Sequence, residues 1–83
     1  MIKVLFFASI RDRLGCSELD IALPSEVRNV AAFTELVKQQ GAAFATVLSD
    51  PKVMIALNQE MANAEMTIDD GDEIAYFPPV TGG

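Results

Sequence analysis

The chain has 83 residues, 51% of them hydrophobic, and a formal net charge of −6 from 12 acidic and 6 basic side chains. This length and composition predict one compact domain and exclude a disordered acidic tail, and no nucleic-acid partner is expected because the few basic residues form no dense patch. Without histidine and with one cysteine, Cys16, the chain lacks the base of a Ser-His-Asp or Cys-His site, the ligands of a zinc site and the partner for an internal disulfide.

The first half of the sequence predicts a hairpin followed by a helix. Residues 2–8 are apolar on both faces, which indicates a central strand, and residues 9–14 predict a helical turn that Gly15 ends. Residues 18–23 alternate apolar and polar side chains up to a proline, as in a half-buried strand that pairs with the first strand. Apolar residues then recur at helical spacing over residues 30–40, which predicts the main helix.

Flanking residues predict where this helix begins and ends. Asn29 is the preferred N-cap, with Ser25 as the competitor, because a short polar side chain accepts a hydrogen bond from the first helical amides. Gly41 is expected to end the helix in a left-handed conformation. Residues 42–48 predict a second short helix, which Asp50-Pro51 stops.

The second half predicts three more strands. Residues 53–57 form an apolar strand, Asn58-Gln59-Glu60 a turn, and residues 61–66 a weak strand. Residues 69–72 are a tight turn of the Asp-Gly kind, which leads into a last strand over residues 73–77.

This order of elements predicts an α+β domain over residues 1–77. Both ends of the domain are apolar strands, so they can pair as neighbours in the middle of one mixed sheet, with the main helix and the short helices packed on it. The order suits a single-domain β-grasp arrangement, and other α+β topologies remain open.

The remaining segment, residues 78–83, predicts an extended C-terminal tail. Its two prolines have no backbone N–H and cannot continue a sheet interior, and its last two glycines have no side chain. Such a segment reaches at most roughly 20 Å and fits a channel too narrow for any Cβ. The functional interpretation is delivery of the terminal carboxylate into a partner's active site, and the alternative is a frayed end. The tail consists of Pro78, Pro79, Val80, Thr81, Gly82 and Gly83.

Both ends of the sequence resemble a known family. The opening residues 1–8 (MIKVLFFA) and the closing residues 70–83 (DGDEIAYFPPVTGG) are similar to the small subunit of molybdopterin synthase, and Asn58-Gln59 fits the same pattern. The resemblance covers nearly the whole length, although residues 25–52 match mainly in length and helical pattern. It implies the ubiquitin-like β-grasp fold, in agreement with the order of elements.

The resemblance also implies a sulfur carrier that supplies no catalytic side chain. In that family an adenylyltransferase resembling ubiquitin-activating enzymes uses ATP to adenylate the terminal carboxylate, here that of Gly83, and a sulfur donor then converts it to a thiocarboxylate. The carrier docks on the large catalytic subunit and donates sulfur to a cyclic pyranopterin monophosphate, which forms the molybdopterin dithiolene. The implied synthase is a heterotetramer, and this chain itself is expected to bind no cofactor and no metal.

Aromatic residues near the two central strands predict a partner-binding surface. Phe7 and Phe77 are expected on the same sheet face, joined by Leu5 or Met61 in one exposed apolar patch. The alternative is that the short helices cover them. Arg11 is a candidate for pairing with acidic groups of the partner, although such residues are more often solvated.

Further features have simpler interpretations. An acidic group surrounds the final turn and comprises Glu65, Asp69, Asp70, Asp72 and Glu73. It either forms a solvated face or steers the chain toward a basic partner surface. Cys16 has no second cysteine or histidine to activate it. The apolar runs are too short to span a bilayer and no signal peptide is recognised, so a cytoplasmic location without membrane contact is expected.

Three other functions remain open at this point. A carrier for thiamine thiazole synthesis also ends in Gly-Gly, but such carriers are typically shorter and lack this Phe-Pro-Pro-Val-Thr-Gly-Gly ending. A ubiquitin-like modifier would instead be conjugated through Gly83 to a lysine of a target protein. A plain interaction domain with a frayed end would need no chemistry at Gly83.

Overall fold

The first and last strands lie side by side in the middle of one sheet. The computed structural model describes residues 1–79, so Val80, Thr81, Gly82 and Gly83 lie outside the described residues. Among the described residues, no helix has both the length and the apolar character needed to cross a membrane. In chain order the elements are β1 (Ile2–Phe6), α1 (Ala8–Leu14), β2 (Glu18–Ile21), α2 (Val30–Lys38), α3 (Ala42–Leu48), β3 (Met54–Leu57), β4 (Glu60–Met61) and β5 (Glu73–Phe77).

The sheet is mixed, with the strand order β2-β1-β5-β3-β4. The central pair β1 and β5 is parallel, and Val4 lies beside Ile74 and Phe6 beside Tyr76. The other neighbouring pairs are antiparallel, including the predicted hairpin of β1 and β2. The central pairing of the two end strands and the α+β class are therefore confirmed.

The core lies between one face of the sheet and the helices. Phe33 and Val37 of α2 are fully buried against the sheet residues that alternate inward. Phe6 stacks on Tyr76 with ring centroids 6.0 Å apart and meets Phe44 edge-on at 5.8 Å. Such pairs favour one defined packing of the layers beyond simple area burial. The sheet contributes Ile2, Val4, Phe6, Leu57, Ile74 and Tyr76 to this core.

The hydroxyl of Tyr76 lies inside this core but has a partner. Its Oη is 2.8 Å from Oγ1 of Thr34 on α2. Burial is the largest influence and raises the pKa of Tyr76 well above its usual range, while the hydrogen bond to Thr34 acts in the opposite direction. The phenol therefore stays neutral at physiological pH and ties α2 to β5.

The main helix begins as predicted but ends differently. The Oδ1 of Asn29 accepts a hydrogen bond from the Ala32 N–H at 2.8 Å, which confirms Asn29 as the N-cap. The prediction that Gly41 ends this helix in a left-handed conformation is wrong. The helix ends at Lys38 with a right-handed Gln39 cap, and Gly41 is extended with a φ of 167° because it serves as the N-cap of α3.

Four predicted strands are shorter in the structure. The first ends at Phe6 rather than at residue 8, the second at Ile21 rather than at residue 23, and the third begins at Met54 rather than at residue 53. The weak strand predicted over residues 61–66 is replaced by the two-residue strand Glu60–Met61. For this last strand the physical reason is competition for hydrogen bonds. The carbonyls of Ala64 and Met66 accept from the N–H groups of Ala31 and Val30, at 2.9 Å each. The segment therefore satisfies the open N-terminal amides of α2 instead of extending the sheet.

The turn before the last strand has the predicted conformation but a different setting. Gly71 has a φ of 92°, in the region that favours glycine, and the Asp72 N–H donates to the Asp69 carbonyl at 3.1 Å. The turn does not close a hairpin, because β5 pairs with β1 and β3. The Gly71 N–H instead donates to the Met1 carbonyl at 3.1 Å, which joins the turn to the start of β1.

Candidate functional site

The sheet face opposite the core carries the predicted partner-binding residues. Strand pairing aligns Glu18, Leu5, Ala75, Ala56 and Met61 in one row across the five strands. The helices in the described part of the chain pack on the other face, so they do not cover this row. We call this surface the open face, defined by its apolar residues Leu5, Phe7, Met54, Ala56, Met61, Ala75 and Phe77.

The open face is apolar at one end and charged at the other. Phe77 lies beside Met54 where β5 leaves the sheet. At the opposite end, Lys3 lies between Asp20 of β2 and Glu73 of β5. The apolar half therefore adjoins the point from which the chain continues into residues 78–83.

Phe7 and Met61 are large and exposed, as the patch prediction requires. Phe7 is 45% exposed and Met61 56% exposed, whereas Phe77 is half-buried. Phe7 keeps an extended backbone and its N–H donates to the Tyr76 carbonyl at 3.1 Å. Ala8 then turns the chain into α1 with a φ of 53°, a conformation that is costly for any residue with a Cβ.

Arg11 lies one helical turn after Phe7 and is exposed. Its N–H donates to the Phe7 carbonyl at 3.4 Å, so backbone contacts connect Arg11 and Phe7 at the same end of the sheet. The structure thus brings Phe7, Phe77 and Arg11 to the end of the sheet where β5 ends. Met61 lies on β4, the outer strand of the sheet. Their role in partner binding remains a prediction.

The tail begins at this same end of the sheet. Pro78 is half-buried and Pro79 is exposed, and neither belongs to a helix or strand. The division into a domain over residues 1–77 and a tail over residues 78–83 stays a prediction, since four of the six tail residues lie outside the described part of the chain.

A hydrogen-bond network at the far end of the sheet holds the β3–β4 turn against β5. The side chain of Asn58 accepts from the Glu73 N–H at 3.0 Å and donates to Oδ1 of Asp72 at 3.1 Å. The Asn58 N–H also donates to the Glu73 carbonyl at 2.7 Å, and Oδ2 of Asp72 accepts from the Asp69 N–H at 2.8 Å. Asp72 therefore has a structural role within the acidic group.

Asp70 is also engaged within the chain. Its Oδ1 pairs with the N-terminal ammonium of Met1. This hydrogen bond, together with the charge attraction, lowers the pKa of Asp70 below its usual value. Both groups are exposed, so the contact adds little to stability.

Replacing Asn58 by alanine is expected to destabilise the fold by about 2 kcal/mol. The change removes both side-chain hydrogen bonds and leaves an alanine at a φ of 51°. Asn58→Gly is the matched control, because it loses the same hydrogen bonds without backbone strain and should cost only about half as much. Urea unfolding followed by circular dichroism measures both, and equal stability of Asn58→Ala and wild type would contradict the role of the network.

Sequence reasoning missed part of the open face. Met54 and Ala56 belong to it because the register places Ala56 between Ala75 and Met61, and Met54 beside Phe77. No single-strand pattern reveals such a register. A separate groove of about 360 Å³ lies between residues 23–28 and residues 67–70, and no predicted site residue within residues 1–79 lines it.

Comparison with known proteins supports the resemblance seen in the sequence. The ThiS family matches residues 4–83. A relative from Escherichia coli (strain K12) named molybdopterin synthase sulfur carrier subunit is 40% identical over 83 residues, covering all of both chains. The resemblance to this family is thus confirmed over the full length.

Solved structures support the fold. SAMP1 from Haloferax volcanii superposes with a TM-score of 0.82 over 99% of this chain and 98% of that chain, at 23% identity. The complex of subunits 1 and 2 of molybdopterin-converting factor from Helicobacter pylori contains a chain with a TM-score of 0.69 at 25% identity, covering 99% of this chain and 97% of that one. The expected ubiquitin-like β-grasp fold is confirmed.

Proposed function

The chain belongs to the ThiS family, and on that premise we propose that it is the sulfur carrier subunit of a molybdopterin synthase. The observation that carries the proposal is the 40% identity, over the whole of both chains, to a relative with that name. The relative's name favours this role over that of a thiamine-type carrier. The side-chain inventory agrees with it, since a carrier needs no histidine and no cysteine pair of its own.

The proposed chemistry takes place at the carboxylate of Gly83. A carboxylate is a poor acyl donor, so an ATP-dependent adenylyltransferase first converts it to an acyl-adenylate and releases pyrophosphate. Sulfur from a donor then displaces AMP and leaves a thiocarboxylate, whose sulfur is a soft nucleophile. Acid–base groups and phosphate-binding cations come from the partners, and the carrier binds no cofactor itself. Its contribution is a positioned, deliverable sulfur atom.

The geometry of the open face suits this role. Its apolar half, with Phe7 and Phe77, adjoins the start of the tail, and Met61 extends it across the sheet. A large catalytic subunit that docks there would receive the tail, Pro78 to Gly83, beside the contact. Arg11 lies at the same edge and would pair with an acidic group of the partner. The assembly we propose is a cytoplasmic heterotetramer of two large and two small subunits.

Thiocarboxylate formation can be tested by intact mass. After incubation with ATP, the activating adenylyltransferase and a sulfur donor, the mass of the carrier should rise by about 16 Da, the exchange of one oxygen for sulfur. Omitting ATP is the control and should leave the mass unchanged. A product linked through an isopeptide bond to a lysine, with no gain of about 16 Da, would identify a protein modifier instead and contradict the proposal.

A further inference from the structure

The β3–β4 hairpin contains an unusual backbone conformation. Its two central residues, Asn58 and Gln59, have φ values of 51° and 68°. Positive φ at both positions is the signature of a type I′ turn, in which the second position strongly favours glycine. Left-handed backbone is unfavourable for a residue with a side chain, because Cβ then lies too close to the following carbonyl oxygen. The turn therefore places a long side chain where glycine would be unstrained.

Contacts within the chain explain the other positive φ values. Three non-glycine residues among residues 1–79 have positive φ: Ala8, Asn58 and Gln59. Backbone hydrogen bonds of Phe7 to Tyr76 and Arg11 hold the turn at Ala8. Asn58 has side-chain hydrogen bonds to Asp72 and Glu73. Gln59 is exposed, and in the described part of the chain no side-chain contact accounts for its left-handed backbone.

The position of Gln59 on the surface points to a contact outside the chain. It lies two residues before Met61, which stands at the end of the apolar row of the open face. On the other side, Asn58 joins the charged end of that face through Glu73. Gln59 therefore lies on the boundary between apolar and polar surface, where interfaces place their polar rim. Residues held in strained backbone cluster at functional sites.

We propose that the carboxamide of Gln59 forms a rim hydrogen bond with the large catalytic subunit when that subunit docks on the open face. The inference rests on the proposed function and specifies one polar contact of that interface. From Met54 to Gln59 the strand and turn span about 17 Å, so a docked subunit of ordinary interface size covers both the apolar half and the hairpin tip. The carboxamide offers both a donor and an acceptor to a peptide group or polar side chain.

Two variants of Gln59 separate the side chain from the backbone. Gln59→Gly removes both the carboxamide and the strain, so the melting temperature of the free carrier should rise by about 4–8 °C and the affinity for the large subunit should fall about three- to tenfold. Gln59→Ala removes only the carboxamide and keeps the strain. Its melting temperature should equal that of wild type, and its affinity should fall as much as that of Gln59→Gly.

Calorimetric titration of full-length carriers into the large subunit measures these affinities. An affinity of Gln59→Ala equal to that of wild type overturns the inference, whether or not Gln59→Gly binds more weakly, because the carboxamide then contributes nothing. Failure of the wild-type carrier itself to bind overturns the proposed function and this contact together. Normal binding by wild type and by both variants overturns only the contact.

Discussion

Removing Gly83 should reduce formation of the sulfurated pterin below detection, a loss of at least about 1,000-fold. The deletion moves the terminal carboxylate back by about 3.5 Å, and displacements of about 1 Å already cost roughly 100-fold when reacting groups must meet. Adding one glycine after Gly83 displaces the carboxylate in the opposite direction and should have the same effect. The measurement is single-turnover conversion of the cyclic pterin substrate by the large subunit and carrier that has been incubated with ATP, the activating adenylyltransferase and a sulfur donor.

The stability of these two variants serves as their control. The core is built from residues between Ile2 and Tyr76, so both variants should unfold at the same temperature as the wild-type chain. Both should also bind the large subunit through the open face with nearly unchanged affinity. Product formation at the wild-type rate by either variant would show that the carboxylate of Gly83 is not the reacting group.

Placing a negative charge on the open face should weaken binding of the large subunit by about 100-fold, which corresponds to roughly 2.7 kcal/mol. Phe77→Glu puts a carboxylate beside Met54 in the apolar half of this face. A docked partner would exclude water from that position, and an unpaired charge there is costly. Titration calorimetry with the large subunit measures the loss.

Two further variants make this result interpretable. Because Phe77 is half-buried, Met61→Glu tests the same face at a position that is 56% exposed, and its affinity should fall at least about tenfold. Ala43→Glu adds the same charge at an exposed position of α3, in the helical layer, and should bind like wild type. Equal weakening by Ala43→Glu would show that the added net charge, and not its position, lowers the affinity. Unchanged binding of a folded Met61→Glu would contradict docking on the open face.

The register of the sheet explains why the open face was only partly predictable. Phe7 and Phe77 could be assigned to one face because successive side chains of an extended segment point to opposite faces of the sheet. Met54 and Ala56 could not, since their neighbours depend on how β3 pairs with β5. The strain at Gln59 was equally hidden, because the turn was predicted over Asn58-Gln59-Glu60. Its two-residue type I′ form follows from the pairing of Leu57 with Glu60.

Competition between distant segments accounts for the wrong strand and cap predictions. Residues 62–66 have enough apolar character for a strand, yet the carbonyls of Ala64 and Met66 bond to the start of α2. Gly41 fits a helix C-cap by composition, but α3 begins directly after it. In both cases the local pattern allowed two structures. Distant hydrogen-bond partners selected one for residues 62–66, and the adjacent start of α3 selected one for Gly41.

Local patterns alone were enough to predict the α+β class, the central pairing of the two end strands and the Asn29 cap. These features depend on hydrophobic periodicity, on short polar caps and on proline and glycine, which act over a few residues. The tertiary structure decided which side chains meet on the open face, that its apolar half adjoins the tail, and that Gln59 lies in strained backbone at its rim. Those properties arise from strand register and long-range hydrogen bonds, which join residues such as Asn58 and Glu73 that are far apart in the sequence.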